Sequence, residues 1–320
     1  MKLLSRRLLH AVLLLLAISF LSFALLQLAP GDYFDEMRLN PQISAQTIEG
    51  IRAQYGLDRS LPVRYAFWLF SVLQGKLGFS LSSGMPVGPL LWVRARNTLL
   101  LTSTATFLAW ALALPIGIWN ATKKGKWTDR VTSLATSTLL TIPELLIFLC
   151  LLLVAARTGW FPSGGMISPG ADGLNALGKA KDLACHLLLP AAGLAMVMMP
   201  ALIRHIRAAM IEALESPFIC AARGHGIPRV RILFRYALPV AANPLISLAG
   251  LSVATLLSAS LLVEMILSWP GLGALMVEAI LARDVYVVIG VVMLSSMFLI
   301  AGNLFADLLL FASDPRIRVE

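Results

Sequence analysis

The chain has 320 residues, of which 58% are hydrophobic and 13% are charged, and its formal net charge at pH 7 is +9. So large an apolar fraction cannot be hidden in one water-soluble core, so the composition excludes an ordinary soluble domain and indicates a multi-pass membrane protein. The positive charge is typical of cytoplasmic loops beside anionic lipid headgroups. Because no basic stripe is interleaved with aromatic residues, nucleic acid is not an expected partner.

Six segments are apolar enough to cross the hydrocarbon as helices. A helical span takes about 20 mostly apolar residues, because backbone groups left unpaired in lipid are costly. The predicted spans are roughly residues 9–29, 97–119, 132–156, 186–203, 240–267 and 286–311. The pattern therefore predicts an all-α membrane protein with six transmembrane helices.

The first span is also compatible with a cleaved signal peptide, since Lys2, Arg6 and Arg7 precede it. Its apolar stretch is longer than an ordinary signal-peptide core and no A-x-A cleavage site follows, which favours a retained helix. Further basic residues cluster at 123–130, along 204–235 and at 316–318. Because cytoplasmic loops carry the excess of Lys and Arg, both termini are predicted to be cytoplasmic.

The segments between the spans divide the chain into three parts. Residues 1–30 hold the N-terminal region and the first helix, residues 31–96 a small helical extracytoplasmic element, and residues 97–320 a core with five transmembrane helices. Within the extracytoplasmic element the pattern predicts short helices at 47–55 and 63–73. The glycines and prolines of residues 157–182 predict a second external loop.

Residues 204–239 form the main cytoplasmic loop between the fourth and fifth helices. Ser216 and Pro217 are typical of a helix start, and Gly224 and Gly226 of a helix end, so a short helix is predicted to lie across the membrane face. The alternative from pattern alone is a plain connecting loop that carries positive-inside arginines.

Two carboxylates lie within predicted spans, where an ionisable group is expensive and faces protein or a wet cavity. Glu144 follows Pro143 near the middle of the third span, and Glu264 lies near the outer end of the fifth. Either carboxylate is a candidate for the translocation path, where Glu144 would meet a cationic cargo group such as a peptide amino terminus. The alternative for both is a structural tie to a neighbouring helix, hydroxyl or loop, and that alternative is favoured for both, more strongly for Glu264.

The cytoplasmic loop carries a motif that resembles the permeases of ATP-binding-cassette (ABC) importers. Their consensus is E-A-A-x3-G-x9-I-x-L-P, and this chain reads CAARGHG at 220–226 and YALP at 236–239. The matching positions are Ala221, Ala222, Gly226, Leu238 and Pro239. Cysteine stands at position 220 where Glu is expected, and tyrosine at 236 where Ile is expected.

Further motifs are similar to the dipeptide, oligopeptide and nickel branch of these permeases, and they cover nearly the whole chain. They are LAPGD at 28–32, YGLDRSLP at 55–62, GKLGFS at 75–80, PV at 86–87, Glu264, SWPGLG at 268–273, AI at 279–280, RD at 283–284 and DPRIR at 314–318. The chain departs from the branch at Tyr33, at Lys76 and at Gly224-His225, which bears on the substrate subgroup and not on the fold.

The resemblance implies a type I ABC importer fold and the permease half of a translocation pore for short peptides. It also implies a second homologous permease subunit, two cytoplasmic ATPase subunits and an extracytoplasmic solute-binding protein in a bacterial inner membrane. In the implied coupling helix, Ala221, Ala222 and Gly226 would allow close approach to a groove on the ATPase, and Arg223 would pair with an acidic rim. Leu238 and Pro239 complete the coupling motif.

No catalytic constellation is found in the sequence, which predicts a transport subunit and not an enzyme. A G-x-x-x-x-G-K-[ST] loop is absent, so ATP and Mg would be bound by the partner ATPase subunits. The three cysteines and four histidines are scattered, which predicts no metal site and no cofactor in this chain. Importers of nickel, of a nickel chelate or of an opine-like solute remain alternatives, as does an ion-coupled secondary carrier, although the chain has few intramembrane charges and no clear repeat.

Overall fold

The computed structural model describes residues 2–28 and 60–313, together with the isolated positions 44, 46, 49 and 50. Apart from positions 49 and 50, the predicted helix at 47–55 lies outside the described residues, as does the DPRIR motif at 314–318. The described elements are α1 Lys2–Leu28, α2 Leu61–Leu73, β1 Phe79–Ser80, β2 Met85–Pro86, α3 Val87–Thr122, α4 Trp127–Thr141, α5 Glu144–Thr158, α6 Ala176–Leu214, α7 Pro217–Gly224, α8 Arg229–Ile232, a π-helical turn Leu233–Ala237, α9 Leu238–Ile266, α10 Leu272–Leu281 and α11 Val285–Ser313.

Four helical stretches in the described part of the chain are long and apolar enough to cross a membrane, and a fifth is obtained if α4 and α5 count as one bent span. The four stretches are Val87–Thr122, Ala176–Leu214, Arg229–Gly250 and Val285–Phe305. They overlap the second, fourth, fifth and sixth predicted spans, although Arg229–Gly250 shares only residues 240–250 with the fifth. The first predicted span falls on α1, whose apolar part is Leu9–Leu25, so the count of six stays a prediction.

The third predicted span is not one helix, and the prediction of a continuous helix over 132–156 is wrong. Helices α4 and α5 are bent by 96° at a break between them. Ile142 at the break has an extended backbone, with φ −80° and ψ 124°, as expected for a residue that precedes proline. Glu144 therefore begins α5 and does not lie near the middle of a helix.

The chain forms two compact units, of which the first comprises residues up to 97 and residues 270–298. In this unit α2 begins at Leu61, two residues before the predicted start, with proline in its first turn. Tyr65 of α2 packs edge-on against Phe20 and Phe23 of α1. The Tyr65 hydroxyl also lies 2.9 Å from the Ser19 hydroxyl. Tyr65 therefore holds α2 against α1 through both ring contacts and a hydrogen bond.

The first unit also joins two motifs that are about 200 residues apart in the sequence. The Asp284 carboxylate is buried and accepts hydrogen bonds from the Ser80 hydroxyl at 2.7 Å and from the Ser82 hydroxyl at 2.9 Å and amide at 3.1 Å. Gly78 has a φ of +106°, and a Cβ there would lie 3.1 Å from the Tyr286 ring. The GKLGFS and RD motifs thus form one structural site around a buried carboxylate.

The second unit comprises residues 98–269 and residues from 299 onward, and its core lies between α3, α6 and α9. Small residues allow close helix packing there, as is usual for helices in membranes. A Cβ at Gly117 of α3 would lie 2.7 Å from the Ile206 side chain, and one at Gly193 of α6 would lie 2.9 Å from Leu151. This packed core supports the loop at 204–239 that the sequence motif marks.

Candidate functional site

Helix α7 is the short helix predicted in the loop at 204–239, and both of its ends are set by local sequence. Ser216 precedes it with an extended backbone, and Pro217 stands in its first turn, where a missing N–H costs nothing. At its end Gly226 has a φ of +71°, and its amide donates to the Arg223 carbonyl at 3.0 Å. The Ile227 amide donates to the Ala222 carbonyl at 3.3 Å, which completes a Schellman cap.

The two faces of α7 have different roles. Ile219 is fully buried in the core of the second unit, and Ala222 is also buried. Ala221 and Arg223 are exposed, and Phe218 is 45% exposed. Among the described residues α7 is therefore seated on the helix core through one face and presents small, aromatic and cationic side chains on the other.

The predicted coupling residues do not all point the same way. Ala221, Arg223 and Gly226 are exposed, whereas Ala222 faces inward. Gly226 meets no atom within 4 Å of a Cβ built on it, so its role in this structure is its left-handed conformation. The sequence motif alone does not separate the outward residues from the inward ones, because that requires the rotation of α7 on the core.

The second part of the motif lies in the helix that leads into the membrane. Leu238 packs partly buried against the core, and Pro239 is exposed in the first turn of α9. Pro239 has no N–H to donate to the carbonyl of Arg235, and the π-helical turn Leu233–Ala237 directly before α9 accommodates that missing bond. Leu238 and Pro239 thus shape the helix start.

Asp129 and Arg207 form an ion pair that the sequence motifs do not indicate. Arg207 Nε lies 2.6 Å from Asp129 Oδ1, and Arg207 Nη2 lies 2.8 Å from Asp129 Oδ2. The Asp129 side chain is 4% exposed and also accepts a hydrogen bond from the Gly125 amide at 2.8 Å. An acidic residue within the basic 123–130 cluster was the available signal, but its partner lies 78 residues away.

Glu144 is half-buried at the break between α4 and α5. Its side chain makes no hydrogen bond or ion pair with any other residue that the structure describes. In the last turn of α4, Thr138 and Thr141 are exposed, and their hydroxyls donate to carbonyls of their own helix, at 3.0 Å and 2.7 Å. A short polar surface with an open carboxylate therefore occupies a segment that hydropathy assigns to the membrane.

Glu264 occupies a different environment, because its side chain is fully buried. It accepts a hydrogen bond of 2.7 Å from the Thr98 hydroxyl, and its backbone carbonyl accepts one of 2.9 Å from the Trp269 amide. Trp269 is also fully buried. The SWPGLG run lies at a helix break, with α9 ending at Ile266 and α10 beginning at Leu272.

Across the described residues, no group of three or more His, Cys, Asp or Glu side chains is arranged to hold a metal ion. The cysteines of this part, at positions 150, 185 and 220, are free and exposed.

The chain is similar to known transport proteins over almost its full length. Residues 113–319 match the family described as binding-protein-dependent transport system inner membrane component, and residues 1–88 match its N-terminal membrane-component family. The chain is 36% identical over 315 residues to the oligopeptide transport system permease protein AppB of Bacillus subtilis (strain 168), covering 98% of both chains. It is 32% identical over 323 residues to the dipeptide transport system permease protein DppB of Escherichia coli (strain K12), covering 95% of this chain and 94% of that one.

A solved structure shows the same fold. A chain of the MetNI methionine ABC transporter in inward-facing conformations matches with a TM-score of 0.57 and 19% identity, over 70% of this chain and 96% of that chain. Together with the family matches and the apolar helices, this makes the protein a multi-pass membrane protein. The chain belongs to the family of binding-protein-dependent transport system inner membrane components.

Proposed function

We propose that this chain is the permease subunit of an ATP-driven importer of short peptides and forms half of the translocation pore. The observation that carries the proposal is α7, a capped helix seated on the core through Ile219 with its other face exposed, in a chain of the binding-protein-dependent family. The cargo is inferred from the relatives, since AppB and DppB are both named for peptide transport. Their names support peptides over a nickel chelate or an opine-like solute.

Coupling to ATP hydrolysis takes place through the exposed face of α7. Ala221 presents only a methyl group, so a partner surface can approach the helix closely, and Phe218 offers apolar area beside it. Arg223 adds a cation that can pair bidentately with a carboxylate on the partner. The partner is a cytoplasmic ATPase subunit, one of two in the complex, and these subunits bind ATP and Mg.

The complete importer contains further partners. A second homologous permease subunit forms the other half of the pore, and an extracytoplasmic solute-binding protein delivers cargo to the outer loops. The loop at 204–239 and both chain termini lie in the cytoplasm, because the basic residues cluster there. Annular lipid surrounds the apolar outer surface of the helices.

Glu144 lines the translocation path in this proposal. A carboxylate with no partner in the described chain cannot be left against lipid, so it faces water, cargo or the second permease subunit. The neighbouring hydroxyls of Thr138 and Thr141 make the same surface wettable. Glu264 is proposed as a structural residue, because its burial and its bond to Thr98 leave it no access to cargo.

The proposal is tested by purifying the tagged chain from its native membrane and identifying every bound protein. Wild-type chain is expected to bring down two ATPase subunits and a second permease. Ala221→Trp places a bulky group on the exposed face of α7 and is expected to release the ATPase subunits but not the second permease. Leu177→Trp, at a position that is 80% exposed at the start of α6, is the matched control and should retain both ATPase subunits and the second permease. A wild-type chain that purifies alone would favour a self-contained carrier.

A further inference from the structure

The geometry of the ion pair between Asp129 and Arg207 fixes the relative orientation of the two side chains as well as the distance between them. The two parallel contacts of 2.6 and 2.8 Å use both carboxylate oxygens and two nitrogens of one guanidinium group. Such a bidentate pair holds both side chains in one plane, which a lysine ammonium cannot do. The Gly125 amide donates to the same carboxylate at 2.8 Å, so the loop before α4 is held as well.

The pair joins two elements at functionally different positions. Asp129 is in the first turn of α4, and Arg207 is about two helical turns before the end of α6 at Leu214. Helix α7 follows α6 after two residues, and its Ile219 is buried in the same core. Arg207 is therefore linked to α7 through a short, packed helix end.

Helix α4 leads from the ion pair to the polar break. Its first turn holds Asp129, its last turn holds Thr138 and Thr141, and Glu144 follows after the bend of 96°. Because a helix of 15 residues is stiff over this length, displacement of its first turn is transmitted to the bend at its other end.

We propose that the Asp129–Arg207 pair is a positioning clamp that transmits ATPase-driven motion of α7 through α4 to the break beside Glu144. The inference rests on the proposed function, because it assumes that α7 is the element that the ATPase subunits move. The role of Asp129 and Arg207 is to couple the movement of α7 to the movement of the break between α4 and α5.

An exposed ion pair between the same two regions supplies a matched control. Lys124 pairs with Glu215, but their side chains are 52% and 59% exposed. Ion pairs of that exposure contribute little to stability. A bidentate pair whose carboxylate is only 4% exposed and accepts a third hydrogen bond is more costly to break, although the Arg207 side chain is 28% exposed. Glu215→Gln therefore removes one charge from the same segment without opening the clamp.

The test uses the complete importer reconstituted in proteoliposomes with its binding protein and a labelled dipeptide. Dipeptide uptake and ATP hydrolysis are measured together, and the readout is uptake per ATP hydrolysed, normalised to complexes that retain both ATPase subunits. Asp129→Asn and Arg207→Gln are each expected to lower this ratio roughly tenfold, within the range by which positions between coupled sites change coupling. Arg207→Lys should give an intermediate ratio, because it keeps the charge but not the bidentate contact.

The charge swap Asp129→Arg with Arg207→Asp should restore part of the ratio lost in the single variants, and Glu215→Gln should match wild type. A role limited to folding would lower the amount of assembled complex but leave uptake per ATP unchanged, and that result would overturn the inference. A swap no better than the worse single variant would also overturn it. If wild-type complexes show no ATP-driven uptake, the proposed function fails and the clamp with it, which is distinguishable because the control and variants then behave alike.

Discussion

Gly226 and Gly224 form a natural pair for testing the geometry of α7, because they lie two residues apart and differ in backbone conformation. Each has open space around a built Cβ, so alanine clashes with nothing at either position. Gly226 has a φ of +71° and Gly224 ends the helix as its last residue. Gly226→Ala should therefore destabilise α7 by about 1–2 kcal/mol through left-handed strain alone. Gly224→Ala should stabilise it by roughly 0.5–1 kcal/mol, because glycine is a poor helix former.

Hydrogen exchange of the amides at 219–227 in the assembled complex measures the difference. Local opening of α7 should become about 5- to 30-fold faster in Gly226→Ala and slower in Gly224→Ala. Gly226→Asn should fall between wild type and Gly226→Ala, because asparagine tolerates the left-handed region better. Equal exchange in the two alanine variants would refute the argument that the Schellman cap holds α7.

Two further predictions concern carboxylates. Glu144→Gln should lower uptake of a dipeptide with a free amine by roughly tenfold, which corresponds to the loss of one charge-assisted hydrogen bond. Uptake of the N-acetylated dipeptide should be unchanged. Equal losses for both cargoes in competition assays would rule out amine recognition. Asp284→Ala should lower the free energy of unfolding by about 2–4 kcal/mol, because Ser80 and Ser82 lose their shared acceptor. Asp284→Asn keeps an acceptor oxygen and should lower the free energy of unfolding by roughly half as much. Denaturation of the detergent-purified chain checks this, and equal loss in both variants would contradict it.

Hydropathy indicated where most of the long apolar helices lie but not where those helices begin and end. The second predicted span began at residue 97, whereas α3 begins at Val87, and the fourth was predicted at 186–203, whereas α6 covers Ala176–Leu214. Apolar content reports which residues can lie in lipid, but a helix continues into water as long as its backbone remains paired. The helix signals of the loop at 204–239 were more exact, because proline and glycine act locally.

The break before Glu144 shows why proline alone does not mark a bend. Pro115 in α3 and Pro190 and Pro200 in α6 lie inside continuous helices, whereas Pro143 separates two helices. Whether a proline interrupts a span depends on how neighbouring helices satisfy the freed carbonyls, which is a tertiary property. The average hydropathy of 132–156 does not contain that information.

The sequence motif predicted which residues form the candidate site but not which of their side chains are exposed on its surface. The motif placed Ala221 and Ala222 together, but the structure exposes the first and buries the second, because α7 has one orientation on the core. The Asp129–Arg207 pair depends on contact between α4 and α6, and nothing in either local sequence specifies the partner.

Cys220 offers a direct test of whether α7 meets an ATPase, because it is a natural, exposed cysteine on that helix. With Cys150 and Cys185 replaced by serine, a photoactivatable crosslinker attached to Cys220 in native membranes should capture a protein that mass spectrometry identifies as an ATP-hydrolysing subunit. The same crosslinker attached at position 177, in a variant that carries Leu177→Cys and no other cysteine, should not capture the ATP-hydrolysing subunit. Efficient labelling of Cys220 without any crosslink to an ATPase would contradict the assignment of α7 as the coupling helix.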